Sequence, residues 1–195
     1  MKKAVVIGSY VGSPWLAECL DSMPKDVPLM VVCQPFYETG VIKWTHENTS
    51  LDEFLFLPDT VFAKRHEWIY EALAQEGRGV SVIGSEYSAF IGKYRRVVLD
   101  RMHTHRFIYA RNKDEAIPEY SAQEYAKLEG CGLITLWPRN AEGLDDGPNR
   151  EFKNGRDNMV IANGHLVKYK GCWQPEMSGE VEARDAKLAG RIITH

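Results

Sequence analysis

Ala4-Val5-Val6-Ile7-Gly8-Ser9-Tyr10-Val11-Gly12-Ser13-Pro14-Trp15-Leu16 is the stretch that decides the architecture of this chain. Ala4 to Gly8 is a short continuous apolar run, rich in β-branched residues and bounded by turn formers. That is the pattern of a strand buried on both faces, as in parallel sheets. Ser9 to Ser13 is a loop of small residues. Pro14 suits a first helical position with Ser13 as N-cap. Trp15, Leu16, Cys19, Leu20 and Met23 recur at helical spacing, so an amphipathic helix is expected over residues 14–23. Pro24 ends it, and Pro28-Leu29-Met30-Val31-Val32-Cys33 reads as a second buried strand. Strand, helix and strand make one βαβ unit, whose crossover is right-handed in nearly all cases.

The chain then continues in the same manner. Residues 35–50 are polar and read as irregular. Phe54-Leu55-Phe56-Leu57 is a further buried strand, halted at Pro58-Asp59-Thr60. Val61 to Gln75 reads as a helix with Trp68, Ile69, Ala72 and Leu73 on one face. Val80 to Ile83 reads as a strand, residues 93–102 as a basic amphipathic helix, and Leu133 to Trp137 as a strand. Near the carboxyl terminus, Met159 to Ala162 and His165 to Tyr169 flank Asn163-Gly164. This is either a hairpin closed by a type I′ turn or a helix with its C-cap at Gly164. The expectation is an α/β chain with one mostly parallel sheet flanked by helices, in a single domain over 1–195. No repeat, low-complexity segment or linker divides it.

Composition bounds the function. A chain of 195 residues suffices for one well-packed domain and is short for two. Hydrophobic residues at 44% and charged residues at 26% are those of a globular protein and exclude a disordered one. A net charge of −3 and a pI near 6.1 give no general pull toward nucleic acid or anionic membrane. Cys19, Cys33, Cys131 and Cys172 form no CxxC pair, and the first two lie in apolar runs, which favours buried thiols in a reducing compartment. The amino-terminal apolar stretch is interrupted by Gly8, Ser9, Tyr10 and Gly12 and does not read as a signal peptide. No run reaches the length of a spanning helix. A soluble, cytoplasmic protein is expected.

In an open α/β sheet, ligands bind outside the carboxyl ends of the strands. That rule selects Ser9-Tyr10-Val11-Gly12-Ser13, Gln34-Pro35-Phe36 and Pro58-Asp59-Thr60. The first loop is neither a GxGxxG fingerprint nor a Walker A sequence, so NAD and ordinary P-loop binding are poorly supported. Asp59, directly after a buried strand, is placed to hold a divalent cation and through it a diphosphate. The competing reading is that Asp59-Thr60 caps a helix starting near Val61.

Val5 to Ser22 resembles the opening of family-2-type GT-A glycosyltransferases, which begin with a buried strand, a Tyr-Asn-containing loop and a helix reading roughly Leu-x-x-x-Leu-x-Ser. Val31-Val32-Cys33-Gln34 is similar to the family strand ending in an acid that touches the nucleotide base. Phe54 to Val61 resembles the strand carrying the family's Asp-x-Asp motif, and Gly92 to Leu99 the segment where the acceptor side begins. The resemblance covers residues 4 to 100 in order. It implies a nucleotide-binding half over about residues 1–90 and an acceptor half over 91–195. Its departures are Val11 in place of Asn, Gln34 in place of the acid, and Leu57-Pro58-Asp59 in place of the triplet, which keeps only the last carboxylate.

What the resemblance implies is transfer of a sugar from a nucleotide-diphosphate sugar, a UDP-sugar first among them, to an acceptor hydroxyl with inversion. Ser9, Tyr10 and Gln34 would meet the nucleotide, and Asp59 would meet the diphosphate through Mn²⁺ or Mg²⁺. The family places its base about a dozen residues before a late glycine. If Gly164 is that glycine, Asp157 and then Glu151 are the candidates, with Asp145-Asp146 behind them, although Asp-Asp-Gly-Pro is equally a surface turn. His165 could join Asp59 at a metal or be an ordinary polar residue. Lys168 and Lys170 could close over the diphosphate or protect an edge strand.

Lys93, Arg95, Arg96, Arg101, His103, His105, Arg106, Arg111 and Lys113 form a basic stretch with Tyr94, Phe107 and Tyr109 interleaved. It reads as a solvated helix face or as a surface for a nucleic-acid acceptor. The acceptor is thus a glycan, a small molecule or a modified nucleic acid. The alternatives are a catalytically silent nucleotide- or sugar-binding module, and a glycosyltransferase or binder directed at a modified DNA base.

Overall fold

The computed structural model describes residues 1–10, 13–33, 38–76, 79–83, 91–101, 133–137, 150–151, 160–162 and 165–169. In chain order the elements are β1 (Lys3–Ser9), α1 (Leu16–Asp21), β2 (Leu29–Cys33), α2 (Glu38–Asn48), β3 (Glu53–Pro58), β4 (Val61–Ala63) and α3 (Glu67–Ala74). They continue with β5 (Gly79–Ile83), β6 (Gly92–Arg95), α4 (Arg96–Arg101), β7 (Leu133–Trp137), β8 (Arg150–Glu151), β9 (Val160–Ala162) and β10 (Leu166–Tyr169).

The main sheet has the order β2-β1-β3-β6-β5-β7. β1 pairs in parallel with β2 and β3, and β5 with β7, while β6 opposes both β3 and β5. The sheet is therefore parallel except for one strand. Helices cover both of its faces. Val5, Ile7, Leu55 and Leu57 pack with Leu16, Cys19 and Leu20 of α1 and Trp68, Ile69 and Ala72 of α3. The alternate residues Val6, Phe54 and Phe56 pack with Val41 and Ile42 of α2 and Val98 and Leu99 of α4. Strands sandwiched in this way have no polar face, which is why they read as continuous apolar runs. This is the expected α/β architecture, a mostly parallel open sheet flanked by helices.

Four local expectations change. The first helix is shorter than residues 14–23: it spans Leu16–Asp21, and Ser13 accepts a hydrogen bond from the Trp15 amide at 3.3 Å ahead of it. Residues 35–50 are not irregular throughout, because α2 lies inside them. Its buried face needs only Val41, Ile42 and Thr45, and the Thr45 hydroxyl is satisfied by the Val41 carbonyl at 2.8 Å. Val61–Gln75 is not one helix. Val61 and Phe62 enter β4, paired antiparallel with β10, and the helix begins only at Glu67. Residues 93–102 are strand β6 followed by α4, not one helix.

The carboxyl-terminal ambiguity resolves as a hairpin: β9 and β10 pair antiparallel, with Val167 opposite Ala162, so no helix ends there. These strands belong to a second sheet ordered β4-β10-β9-β8. Ser22 anchors its β4 edge to α1, donating to the Cys19 carbonyl at 2.7 Å and accepting from the Ala63 amide at 3.0 Å. Neither Cys19 nor Cys33 is in a disulfide. Among the described residues no helix is long and apolar enough to cross a membrane.

The amino ends of β1 and β3 carry a buried ion network. Glu53, only 2% exposed, meets Lys3, Lys93 at 3.8 Å and Arg95 at 3.7 Å. Lys93 also donates to the carbonyls of Leu73 and Gln75, and Lys3 to that of Leu73 at 3.2 Å, placing cations at the carboxyl end of α3 where the helix dipole favours them. Burial lowers the Lys93 pKa, and the Glu53 charge acts against that fall. Removing Glu53 leaves the buried Lys93 ammonium in low dielectric without its carboxylate. Glu53→Ala is expected to cost about 3–5 kcal/mol of unfolding free energy, measured by urea denaturation.

Candidate functional site

β1 is the switch point of the sheet. The chain leaves it for β2 on one side through α1, then returns through α2 to β3 on the other side. The carboxyl ends of β1 and β3 therefore open between diverging connections, the place where ligands bind in such sheets. The register sets Ser9 opposite Cys33 and Gly8 opposite Pro58, so the next residue of β3's chain, Asp59, arrives beside Ser9.

Asp59 and Ser9 are 5% and 6% exposed. The Ser9 Oγ donates to Asp59 Oδ2 at 2.7 Å, and the Asp59 amide donates to the Gly8 carbonyl at 3.0 Å. Asp59 is thus tied to β1 through both backbone and side chain. It caps no helix, since β4 and not a helix follows it, so that alternative is excluded. The Ser13 amide closes a turn on the Tyr10 carbonyl at 3.1 Å, and half-buried Tyr10 stands at its start.

Two supporting residues carry no polar signal. A side chain on Gly8 would meet the Phe56 ring at 2.8 Å and Val41 Cγ1 at 3.4 Å, so the absent Cβ lets β1 and α2 close over Phe56. Cys19, fully buried in α1, has its thiol pKa pushed well up, chiefly by burial and secondly by the Asp59 charge. That second cause places the Asp59 charge within electrostatic reach of the core beneath it. Gly8 could have been suspected from a glycine ending a buried strand; the role of Cys19 has no local signal.

The remaining candidates separate. Lys168 pairs with Val61, at the end of β4 nearest Asp59. β10 lies between β4 and β9, so Lys168 is not on an edge strand and the edge-protection reading fails. Glu151 pairs with Val160, which pairs with Tyr169, next to Lys168; it therefore lies toward the same end of the second sheet, roughly 14 Å from β4 across three strand spacings. The half-buried His165 lies at the opposite end of β4, where its carbonyl accepts from the Lys64 and Arg65 amides at 2.9 and 3.2 Å. The three residues of β4, roughly 10 Å of strand, separate that level from Asp59, so the register does not bring His165 to Asp59 as a second ligand. Gln34, Asp157, Lys170 and Asp145-Asp146 lie outside the described residues.

The basic stretch is likewise divided. Lys93 and Arg95 serve Glu53, and the Arg96 guanidinium donates to the carbonyls of Leu51, His46 and Thr49 at 3.0, 2.9 and 2.6 Å, closing the carboxyl end of α2. These three cations are engaged within the fold, and Lys93 and Arg95 lie on a strand, not on a helix face. Arg101 falls at the end of α4, and the others lie outside the described residues.

Among the described residues, no three His, Cys, Asp or Glu side chains converge to hold a metal ion. A buried carboxylate braced by a hydroxyl suits a cation whose other ligands are diphosphate oxygens and water, not one enclosed by protein.

No family model matches the chain, and no curated protein matches it. Solved structures do. The crystal structure of A197 from STIV is similar at 11% identity with a TM-score of 0.50, over 87% of this chain and 95% of that one. A Drosophila β-1,4-galactosyltransferase 7 mutant complexed with manganese, UDP-Gal and xylobiose is similar at 14% identity and a TM-score of 0.46, over 73% and 67%. S. aureus TarS follows at 12% and 0.45, over 70% and 58%. With A197 the likeness is one of fold; the site is this chain's own residues.

Two outcomes check this geometry. Gly8→Ala is expected to destabilise the protein by about 1–3 kcal/mol through overpacking against Phe56, read as a lower urea midpoint at unchanged slope. The raised Cys19 pKa means that the folded state holds the thiol proton more tightly than the unfolded chain does. Its contribution is fully present below about pH 8.5 and is lost as pH rises from there toward the folded value. Cys19→Ala should therefore flatten the alkaline fall in stability, by at most about 1.4 kcal/mol per pH unit, in denaturation curves recorded across pH 7–11.

Proposed function

We propose that this chain is a nucleotide-sugar-dependent glycosyltransferase, a single domain whose first half (about 1–90) binds the donor and whose second half (91–195) meets the acceptor. The observation that carries the reading is the buried Ser9–Asp59 contact at the switch point of a GT-A-like sheet. The nucleotide would lie along the Ser9 backbone and Tyr10 toward Gln34, and the diphosphate at Asp59. Lys168, at the near end of β4, and Lys170 beyond it are the cations proposed to face the diphosphate. Asp59 would hold Mn²⁺ or Mg²⁺ jointly with the diphosphate, and such an ion would offset the charge that builds on the leaving group.

In the proposed reaction the acceptor hydroxyl oxygen attacks the anomeric carbon from the face opposite the diphosphate. The bond to the diphosphate oxygen breaks and the nucleoside diphosphate leaves with the electron pair. The hydroxyl proton passes to a carboxylate, Asp157 or Glu151. Binding of the base and diphosphate holds the sugar in line for attack. The single retained acid of the triplet also supports a second reading, a binding module without turnover, which donor hydrolysis or transfer would exclude.

The test is the thermal shift produced by UDP, UDP-glucose, GDP-mannose and NAD, each with and without Mn²⁺, in wild type and Asp59→Ala. A ligand at a hundred times its Kd stabilises by about 2.7 kcal/mol, which is about 5–10 °C for a chain of this size. The expected result is such a shift with one nucleoside diphosphate, dependent on Mn²⁺ and absent in Asp59→Ala. No shift with any nucleotide at millimolar concentration would overturn the proposal.

A further inference from the structure

We infer that Ser9 is a positioning residue: its hydroxyl fixes the Asp59 carboxylate for cation binding, in place of a second carboxylate, and does not itself contact the nucleotide. The inference rests on the reading of Asp59 as the cation-holding residue of a donor site.

The argument begins with the strand that delivers Asp59. Its own chain supplies no second acid nearby: Leu57 is fully buried in the core, and Pro58 has neither charge nor amide hydrogen. A lone carboxylate on a turn has rotational freedom about its side-chain bonds, and a divalent cation with demanding geometry needs that freedom removed. Here the brace comes from the neighbouring strand. A serine hydroxyl carries one proton. Two acceptors lie within reach of Ser9 Oγ, Asp59 Oδ2 at 2.7 Å and the Tyr10 carbonyl at 3.4 Å. The shorter contact, to the carboxylate, has the length of a charge-assisted hydrogen bond and takes the proton. The Asp59 amide, held on the Gly8 carbonyl, fixes the backbone from which the side chain springs. Both residues are almost completely buried, so water does not compete for the contact.

The spacing of the contact matters as much as its length. Ser9 and Asp59 are the first residues beyond the Gly8–Pro58 pair, so the parallel register alone brings them together. The hydroxyl is therefore committed before any ligand arrives, and the nucleotide is left to the backbone of the turn and to Tyr10.

The experiment titrates Mn²⁺ in the presence of saturating UDP, with free Mn²⁺ followed by electron paramagnetic resonance. Wild type, Ser9→Ala, Ser9→Thr and Asp59→Asn are compared, and UDP affinity in EDTA is measured in parallel by calorimetry. The expected result is Mn²⁺ affinity about 10-fold weaker or more in Ser9→Ala, restored to within a few-fold in Ser9→Thr, and lost in Asp59→Asn. UDP affinity in EDTA should be the same in wild type and both Ser9 variants. Unchanged Mn²⁺ affinity in Ser9→Ala, with loss in Asp59→Asn, overturns the role of Ser9 and leaves the donor site standing. A fall in UDP affinity in EDTA in Ser9→Ala that Ser9→Thr restores also overturns it, because the hydroxyl then serves the nucleotide. If wild type takes up no Mn²⁺ with UDP, the donor-site reading falls and this inference falls with it.

Discussion

Strand β1 is hydrogen-bonded on both sides by parallel neighbours and covered by helices on both faces, and the rest of the molecule is arranged around that fact. A strand so enclosed must be apolar along its whole length, which accounts for Ala4 to Ile7. Its last residues must also tolerate close approach from both sides, which accounts for Gly8 under the Phe56 ring. Because its two neighbours are reached by connections on opposite faces, the carboxyl end of β1 is where the covering layers part. A buried polar pair can exist there because the parallel register supplies each residue with its partner.

The charged groups sort themselves along the strand direction. At the amino end, Glu53 is surrounded by Lys3, Lys93 and Arg95, and the two lysines also donate to the carbonyls closing α3. In that assembly Glu53 and Lys93 are buried, while Lys3 and Arg95 reach solvent. At the carboxyl end, Asp59 is braced by the Ser9 hydroxyl. A carboxylate buried beside a hydroxyl needs the remainder of its charge met in some other way, whether by dipoles, water or a cation. The two ends thus bury a carboxylate differently, one with cations around it and the other with a hydroxyl beside it.

The elements legible in the sequence were those whose environment is uniform. Strands β1 and β3 are apolar runs buried along almost their whole length, and burial on both faces leaves that mark whatever their partners are; β2, β5 and β7 carry similar apolar or β-branched runs in the sequence. The elements that misled were those decided by residues far away. Val61 and Phe62 join a strand because β10 is there to pair with them. Lys93 looks like a surface cation until Glu53, forty positions earlier, is placed beside it. Helix α2 hides because Thr45 replaces an aliphatic residue in its buried stripe and pays for its hydroxyl with a backbone carbonyl. The site follows the same division. Asp59 stood out because a carboxylate directly after a buried strand is a local signal. That Ser9 is its partner depends on register, and the clearance at Gly8 depends on a ring from another strand. His165 was drawn toward Asp59 by analogy, and the antiparallel pairing of β4 with β10 set it at the far end.

The second sheet has a consequence for the order in which the molecule is made. β4 finds its hydrogen-bonding partner in β10, more than a hundred positions further along the chain. Closing so long a loop is entropically costly, and contacts of that separation form late. The pairing of β1 with β2 and β3, by contrast, is complete within the first sixty residues. During synthesis the carboxyl ends of β1 and β3 can therefore come together while β4 is still an unpaired three-residue segment beside them. The strand that completes this region comes last from the ribosome, carrying Lys168 to the end of β4 that adjoins Asp59.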